Sequence, residues 1–296
     1  MRKIIFGIRK SRLAESQLNE FLAYLANNKL NLDYSVKTIM VEADKDKVSP
    51  ACKMGQGIFT KEIERALIQK DIDCAVHSLK DMPVKIEPGT ILSCFPVRQD
   101  VRDCMVARDG VSRDKLKGLK IGTGSPRRSA FLKEMEQDIE VLPLRGNVDT
   151  RLRKMDSGDY DAMVLAVCGL KRLGYINRIN RYFDPDIFVP AAGQGIICSQ
   201  TRIDDNVLNS SLRACSCQDT ERSALLERKV LEALDIGCLK PFGVYARFNG
   251  NEFIITAKSY QETSHIYIYE QRKSPRIDSE KVTFDLISFM KQKMKC

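Results

Sequence analysis

Short apolar runs alternate with amphipathic stretches of helix length along much of this chain, and that alternation restricts its fold more than any other feature. Lys3–Ile8 reads as a strand, and Arg12–Ala26 then sets Ala14, Leu18, Phe21, Leu22 and Leu25 on one helical face. Tyr34–Val41 reads as a strand, Lys61–Ile68 as a helix with Ile63, Ala66 and Leu67 inward, and Cys74–His77 and Ile91–Phe95 as short buried strands. This βαβ pattern predicts an α/β domain with a largely parallel sheet and helices on both faces. The pattern restarts near residue 100. There Cys104–Ala107, Lys120–Gly122, Ile139–Leu142 and Ala162–Leu165 read as strands, with helices over Arg127–Glu136 and Asn147–Asp156. The restart predicts a second α/β domain and a cleft between the two. The last third changes character: a long helix over Cys217–Leu234, a hairpin around Asn249-Gly250 with the type I′ signal, a third strand over His265–Gln271 and a closing helix over Ser279–Met294. That is a small α+β domain.

Open α/β sheets bind ligands at the carboxyl ends of their strands, and three chemically dense loops fall at such ends. One is His77-Ser78-Leu79-Lys80-Asp81-Met82-Pro83; the others are Gly122-Thr123-Gly124-Ser125-Pro126-Arg127-Arg128 and the arginine-rich stretch from Leu144 to Arg153. Arginine is always charged, and its planar fork grips a carboxylate or phosphate with parallel hydrogen bonds. Exposed N–H groups at a helix start add to the pull on an anion. The two arginine turns therefore predict a small ligand carrying several negative charges.

The net charge of +9 over 296 residues fits an anionic partner. Nucleic acid is disfavoured, because no recognition motif is present, aromatics are 7% and Trp is absent. No apolar stretch reaches membrane-spanning length, and the apolar run after Met1-Arg2-Lys3 is too short for a signal peptide. Ten irregularly spaced cysteines then read as reduced thiols in the cytoplasm. No metal is expected: His77 and His265 are the only two histidines, and Cys215-Ser216-Cys217 lacks zinc-site spacing. Cys238, between Gly237 and Pro241, is a loop thiol, either inert or a nucleophile beside cations. Ser11 is placed to cap the first helix, with Arg9 facing the same side.

Taken in order, these segments resemble the hydroxymethylbilane synthases, also called porphobilinogen deaminases. The likeness runs from Arg9-Lys10-Ser11-Arg12-Leu13-Ala14 through Gly57–Glu62, Ala75–Pro83 and both arginine turns, then Leu165–Gly174 and Pro190–Gly195, to Gly237-Cys238 and Pro241. The resemblance implies two domains like those of periplasmic binding proteins around a cleft, plus the small α+β domain. The divisions are 1–97 with 194–214, 98–193, and 215–296. It implies one covalent dipyrromethane cofactor per chain, joined to Cys238 by a thioether. The implied reaction condenses four porphobilinogen molecules head to tail, releasing ammonia each time, and hydrolysis frees the linear tetrapyrrole. Asp81 matches the catalytic carboxylate that stabilises the cationic azafulvene left by deamination. Lys80, Asp81, Ser125, Arg127, Arg128 and Arg145 match cofactor-holding positions, and Arg9, Ser11, Arg145 and Arg151 substrate-holding ones. A monomer is implied, with porphobilinogen as partner and hand-over of product to the next enzyme.

The chain departs from the family pattern in places. Glu42-Ala43-Asp44-Lys45-Asp46 stands where a Lys/Arg-Gly-Asp turn is usual, in a shortened lid that retains Asp44 and Lys53. Gly124 replaces a hydroxyl residue, Gln200 a glutamate, and Leu239-Lys240 a Gln-Val pair. The alternative reading is a non-catalytic or diverged member that binds a polycarboxylate pyrrole.

Overall fold

A computed structural model describes residues 2–41, 60–112, 116–237 and 240–294. In chain order its first elements are β1 (Ile4–Arg9), α1 (Arg12–Asn27), β2 (Tyr34–Ile39), α2 (Lys61–Ile68), β3 (Cys74–Ser78) and β4 (Thr90–Cys94). Next come β5 (Asp103–Ala107), β6 (Lys120–Gly122), α3 (Pro126–Met135), β7 (Glu140–Leu142), α4 (Val148–Asp156), β8 (Ala162–Ala166), α5 (Val167–Arg172) and β9 (Ile179–Tyr182). The chain continues with β10 (Ile197–Arg202), α6 (Asn206–Ala214), α7 (Gln218–Ala233), β11 (Phe242–Asn249), β12 (Glu252–Gln261), β13 (Ile266–Pro275) and α8 (Ser279–Met294). They fall into two compact units, Met1–Gln99 with Gly193–Leu225, and Asp100–Ala192 with Leu226–Cys296.

The first unit is built on a five-stranded sheet in the order β2-β1-β3-β10-β4. Helix α1 lays Ala14, Leu18, Phe21 and Leu25 against Ile4, Phe6 and Ile8 of β1, the face the sequence spacing predicts, with Leu22 at its margin. Phe6 and Phe21 meet edge to face at 6.3 Å between ring centres, a preferred aromatic geometry. Helix α2 covers the other face through Ile63, Ala66 and Leu67, packed with Val41, Ile72 and Ala75. One correction concerns direction. β1 pairs in parallel with β2 and β3, but β10 runs antiparallel to both β3 and β4, so the sheet is mixed. β10 arrives as the chain returns to this unit, and its six residues are buried throughout.

The second unit repeats the arrangement. Its five-stranded sheet, β7-β6-β8-β5-β9, pairs β6 in parallel with β7 and β8, while β5 runs antiparallel to β8 and β9. Because β5 is reversed, its first residue, Asp103, lies at the edge where β6 and β8 end. The three-stranded antiparallel sheet β11-β12-β13 buries Val244, Ala246, Phe253, Ile255 and Ala257 with Leu286, Ile287 and Met290 of α8. Strands β12 and β13 also hold α3. The Tyr267 hydroxyl donates to the Ala130 carbonyl at 2.9 Å, and buried Lys258 pairs with Glu134. The β11–β12 hairpin differs from expectation. Asn249 pairs with Glu252, so the turn centres on Gly250-Asn251, and of those two only Gly250 has positive φ, +58°. That is the type II′ pattern rather than type I′.

Among the described residues no helix is long and apolar enough to cross a membrane. No disulfide joins the described cysteines, Cys74, Cys94, Cys104, Cys168, Cys198, Cys215 and Cys217.

Candidate functional site: anion-holding turns at strand ends

In the first unit, the candidates sit at the carboxyl ends of two neighbouring parallel strands. Arg9 closes β1, half-buried, and Ser11 follows as the N-cap of α1. The Ser11 hydroxyl oxygen accepts from the Ala14 N–H at 3.1 Å, a bond whose loss costs about 1 kcal/mol in such caps. Next door, β3 runs into a single 3-10 turn, Leu79–Asp81, that buries Leu79, leaves Lys80 half-exposed and exposes Asp81. The Lys80 ammonium donates to Oε1 of fully buried Gln194 at 3.4 Å. Buried Gln17 on α1 donates to the Ser78 hydroxyl at 2.5 Å, tying the helix to the strand that leads into the acidic turn. This placement exposes a carboxylate beside a tethered cation on a rigid strand end.

In the second unit, the two glycine-punctuated turns lie side by side. β6 and β7 are parallel neighbours, and the bonding continues past their ends. The Thr123 N–H donates to Leu142 O at 2.9 Å, and the Leu144 N–H to Thr123 O at 3.2 Å. Gly124 is demanded by this closeness, since a Cβ there would lie 2.9 Å from the Leu144 carbonyl oxygen. The hydroxyl residue usual in the family could not enter without moving that backbone. Gly146 holds φ of +110°, a conformation open to glycine and strained for other residues.

Each turn opens a helix. Ser125 caps α3, accepting from the Arg128 N–H at 3.4 Å, and Asn147 caps α4, accepting from the Thr150 N–H at 2.9 Å. Pro126 occupies the first turn of α3, where its missing N–H is harmless. The positive ends of both helices therefore face the strand-end edge, as anion binding requires.

The arginines divide into two kinds. Sequence reading takes Arg127 and Arg128 as open forks; both instead turn inward onto Asp103. Arg127 Nη2 donates to Asp103 Oδ2 at 2.7 Å and its Nη1 to Val189 O at 2.8 Å. Arg128 reaches Asp103 Oδ1 from Nε at 3.0 Å and from Nη2 at 2.7 Å, with Nη1 on Val164 O at 3.1 Å. Asp103 is 0% exposed, Arg127 4% and Arg128 7%. Burial alone would raise the Asp103 pKa; the two guanidinium charges and their hydrogen bonds overcome it and hold the carboxyl at about 2. Burial also lowers the Arg127 pKa. The cluster thus carries two cations and one anion out of water. Arg145 is the other kind, half-buried and without a hydrogen bond or ion pair among the described residues. Arg151 folds back from α4, its Nε donating to Gly146 O at 2.7 Å.

Asp103 escaped the sequence reading. Its one visible signal was an acid opening an otherwise apolar strand. Asp44, Lys53 and Cys238 lie outside the described residues.

These features define a class: an α/β protein whose strand-end turns are shaped to hold a polyanion. Comparison with known proteins narrows it. Residues 4–210 match the family described as porphobilinogen deaminase, dipyromethane cofactor binding domain. The porphobilinogen deaminase of Oceanobacillus iheyensis is 39% identical over 260 residues, 87% of this chain and 84% of that protein. The porphobilinogen deaminase of Bacillus cereus is 42% identical over 257 residues, 86% of this chain and 83% of that protein. Among solved structures, an arginine-specific periplasmic binding protein of Salmonella typhimurium aligns at TM-score 0.42 and 14% identity, covering 73% of this chain and 92% of that one. The chain belongs to the porphobilinogen deaminase family.

Proposed function

We propose that this chain is a hydroxymethylbilane synthase, a transferase that joins four porphobilinogen units head to tail, with loss of ammonia, onto a bound dipyrromethane. The observation that carries the reading is the anion-holding edge of the second unit. There two helix N-termini, an arginine pair with one cation in excess and Arg145, without a partner among the described residues, share adjoining turns. A dipyrromethane bears several carboxylates, so this donor set fits it. When bound, it supplies the pyrrole end to which each new unit is joined.

The residues of the chain divide the remaining work. Arg127, Arg128 and the Ser125 turn hold the permanent carboxylates, and Arg145 with Arg151 takes those of incoming units. Arg9 and the N-terminus of α1 at Ser11 bind carboxylates from the first unit. Asp81, exposed on its turn, faces the pyrrole N–H groups and opposes the positive charge that develops as ammonia departs. Lys80, steadied by Gln194, neutralises a carboxylate beside it. Cys238 forms the thioether. It lies beyond residue 210, where the family match ends. We further propose the three-domain division at 97/98, 193/194 and 214/215, a cytoplasmic monomer, and release of product to a following enzyme.

The test is an intact mass of protein purified from a porphobilinogen-producing host, beside Cys238→Ser. The expected wild-type mass is raised by two linked pyrrole units, and the variant mass is not. An unmodified wild type that stays so after incubation with porphobilinogen, and that releases no ammonia, would refute the assignment.

A further inference from the structure

The buried cluster at Asp103 carries a consequence beyond holding two side chains in place. Both oxygens of its carboxylate are engaged by the arginines, Oδ1 by Arg128 and Oδ2 by Arg127, yet the cluster retains one positive charge in excess. The N-terminus of α3, which begins at Pro126, adds more positive potential. Charges out of water are tolerated when paired, and removing one partner of a buried pair is strongly destabilising because it strands the other. Without Asp103, two guanidiniums would remain buried with, among the described residues, the Val189 and Val164 carbonyls as acceptors.

The topology makes this carboxylate permanent. Asp103 opens β5, the reversed strand, and is pinned by pairing with Ala166 of β8. It is therefore at the arginine edge whether or not a ligand is bound there.

We propose that Asp103 is a resident counter-ion: it stands in for ligand carboxylates, so that the second unit folds with Arg127 and Arg128 already buried and aimed before cofactor is present. This rests on the reading of that unit as the cofactor-holding one. Asp103 is a positioning residue, acting through the two arginines. Its removal makes folding of the unit depend on an external anion.

The test compares melting temperatures of apo and cofactor-loaded protein for wild type and Asp103→Asn, with apo protein made in a host that produces no porphobilinogen. The expected result is that cofactor raises the melting temperature of Asp103→Asn at least twice as much as that of wild type. Formate is expected to raise the melting temperature of the apo variant and leave apo wild type unmoved. An ordinary structural ion pair would lower apo and loaded forms equally and give no formate response; that result overturns the proposal. If wild type gains nothing from cofactor, the reading of the cofactor-holding unit fails as well. Should apo Asp103→Asn not fold, the double variant Asp103→Asn with Arg128→Gln restores the original net charge. It is expected to fold without cofactor and to lose the enlarged cofactor response. Failure of that double variant to fold would also overturn the proposal, because the requirement would then not be one of charge.

Discussion

Lowering the pH from about 7 to about 4.5 should destabilise this protein by about 2.5 kcal/mol through His77 alone. The ring sits on β3, 6% exposed, and its Nε2 has no hydrogen-bond partner among the described residues. Gln200 of β10 acts on it from the neighbouring strand, and Gln200 itself donates to Glu64 of α2 and Thr90 of β4. Burial lowers the imidazole pKa from 6.5 to about 4, with the Gln200 side chain pulling weakly the other way. A folded-state pKa below the unfolded one means that the unfolded chain takes up the proton first. The contribution is therefore intact above pH 6.5 and lost as pH falls toward 4. Linkage gives about 2.5 kcal/mol near pH 4.5 and about 3.4 kcal/mol at completion. Asp103, Asp73, Asp100 and Asp161 all have lowered values, so their contributions begin to fade as pH falls toward the ordinary 3.8; that background is common to wild type and a His77 variant and cancels between them. The assay is urea unfolding followed by circular dichroism at the two pH values, for wild type and His77→Leu. The variant should lose most of the pH difference whatever its own stability at neutral pH. An undiminished difference in His77→Leu would refute the reasoning.

Two further changes test the second unit. Arg145→Gln should leave unfolding free energy within about 0.5 kcal/mol, because the guanidinium has no partner among the described residues to strand. It should raise KM for porphobilinogen by about tenfold to a hundredfold, the worth of one charge-assisted hydrogen bond; an unchanged KM in a steady-state assay would count against its role. Gly243→Ala should destabilise by about 3 kcal/mol, since the added Cβ would sit 2.3 Å from Val189 O and 2.9 Å from Pro190 O, backbone atoms that cannot swing aside. Thermal unfolding reads it directly, and a change under about 0.5 kcal/mol would contradict the packing.

Much of the fold was legible because periodicity reports which face of an element is buried. α1, α2 and α8 occupy the stretches that their apolar spacing marks out, and β6 spans Lys120–Gly122 as read. Strand direction was not legible. An apolar run such as Asp103–Ala107 has no polarity of its own, and the reversal of β5 and β10 follows from where the chain crosses between sheets. That omission hid Asp103, which matters at the arginine edge only because β5 is reversed. Two departures from the family pattern also acquire causes. Gly124 faces the Leu144 carbonyl. Gln200 donates from Nε2 to buried Glu64 Oε1 at 2.9 Å, where a glutamate would set two carboxylates together out of water. The arginines were visible as charges, but their partners are a tertiary fact.

The division among the arginines suits a site that must hold one ligand permanently and others in turn. Arg127 and Arg128 are fixed by a shared carboxylate, two carbonyls and the backbone of the α3 start, so their ordering entropy is lost once, on folding. A ligand that never leaves gains most from such pre-set donors. Arg145 stands one turn away, on a loop zipped to the first by the Thr123 and Leu144 bonds, yet its own side chain has no partner among the described residues. It can change rotamer without breaking a bond to another described residue. Sequence shows the same residue type in both turns. The difference between a fixed grip and a movable one lies in whether a carboxylate stands behind it.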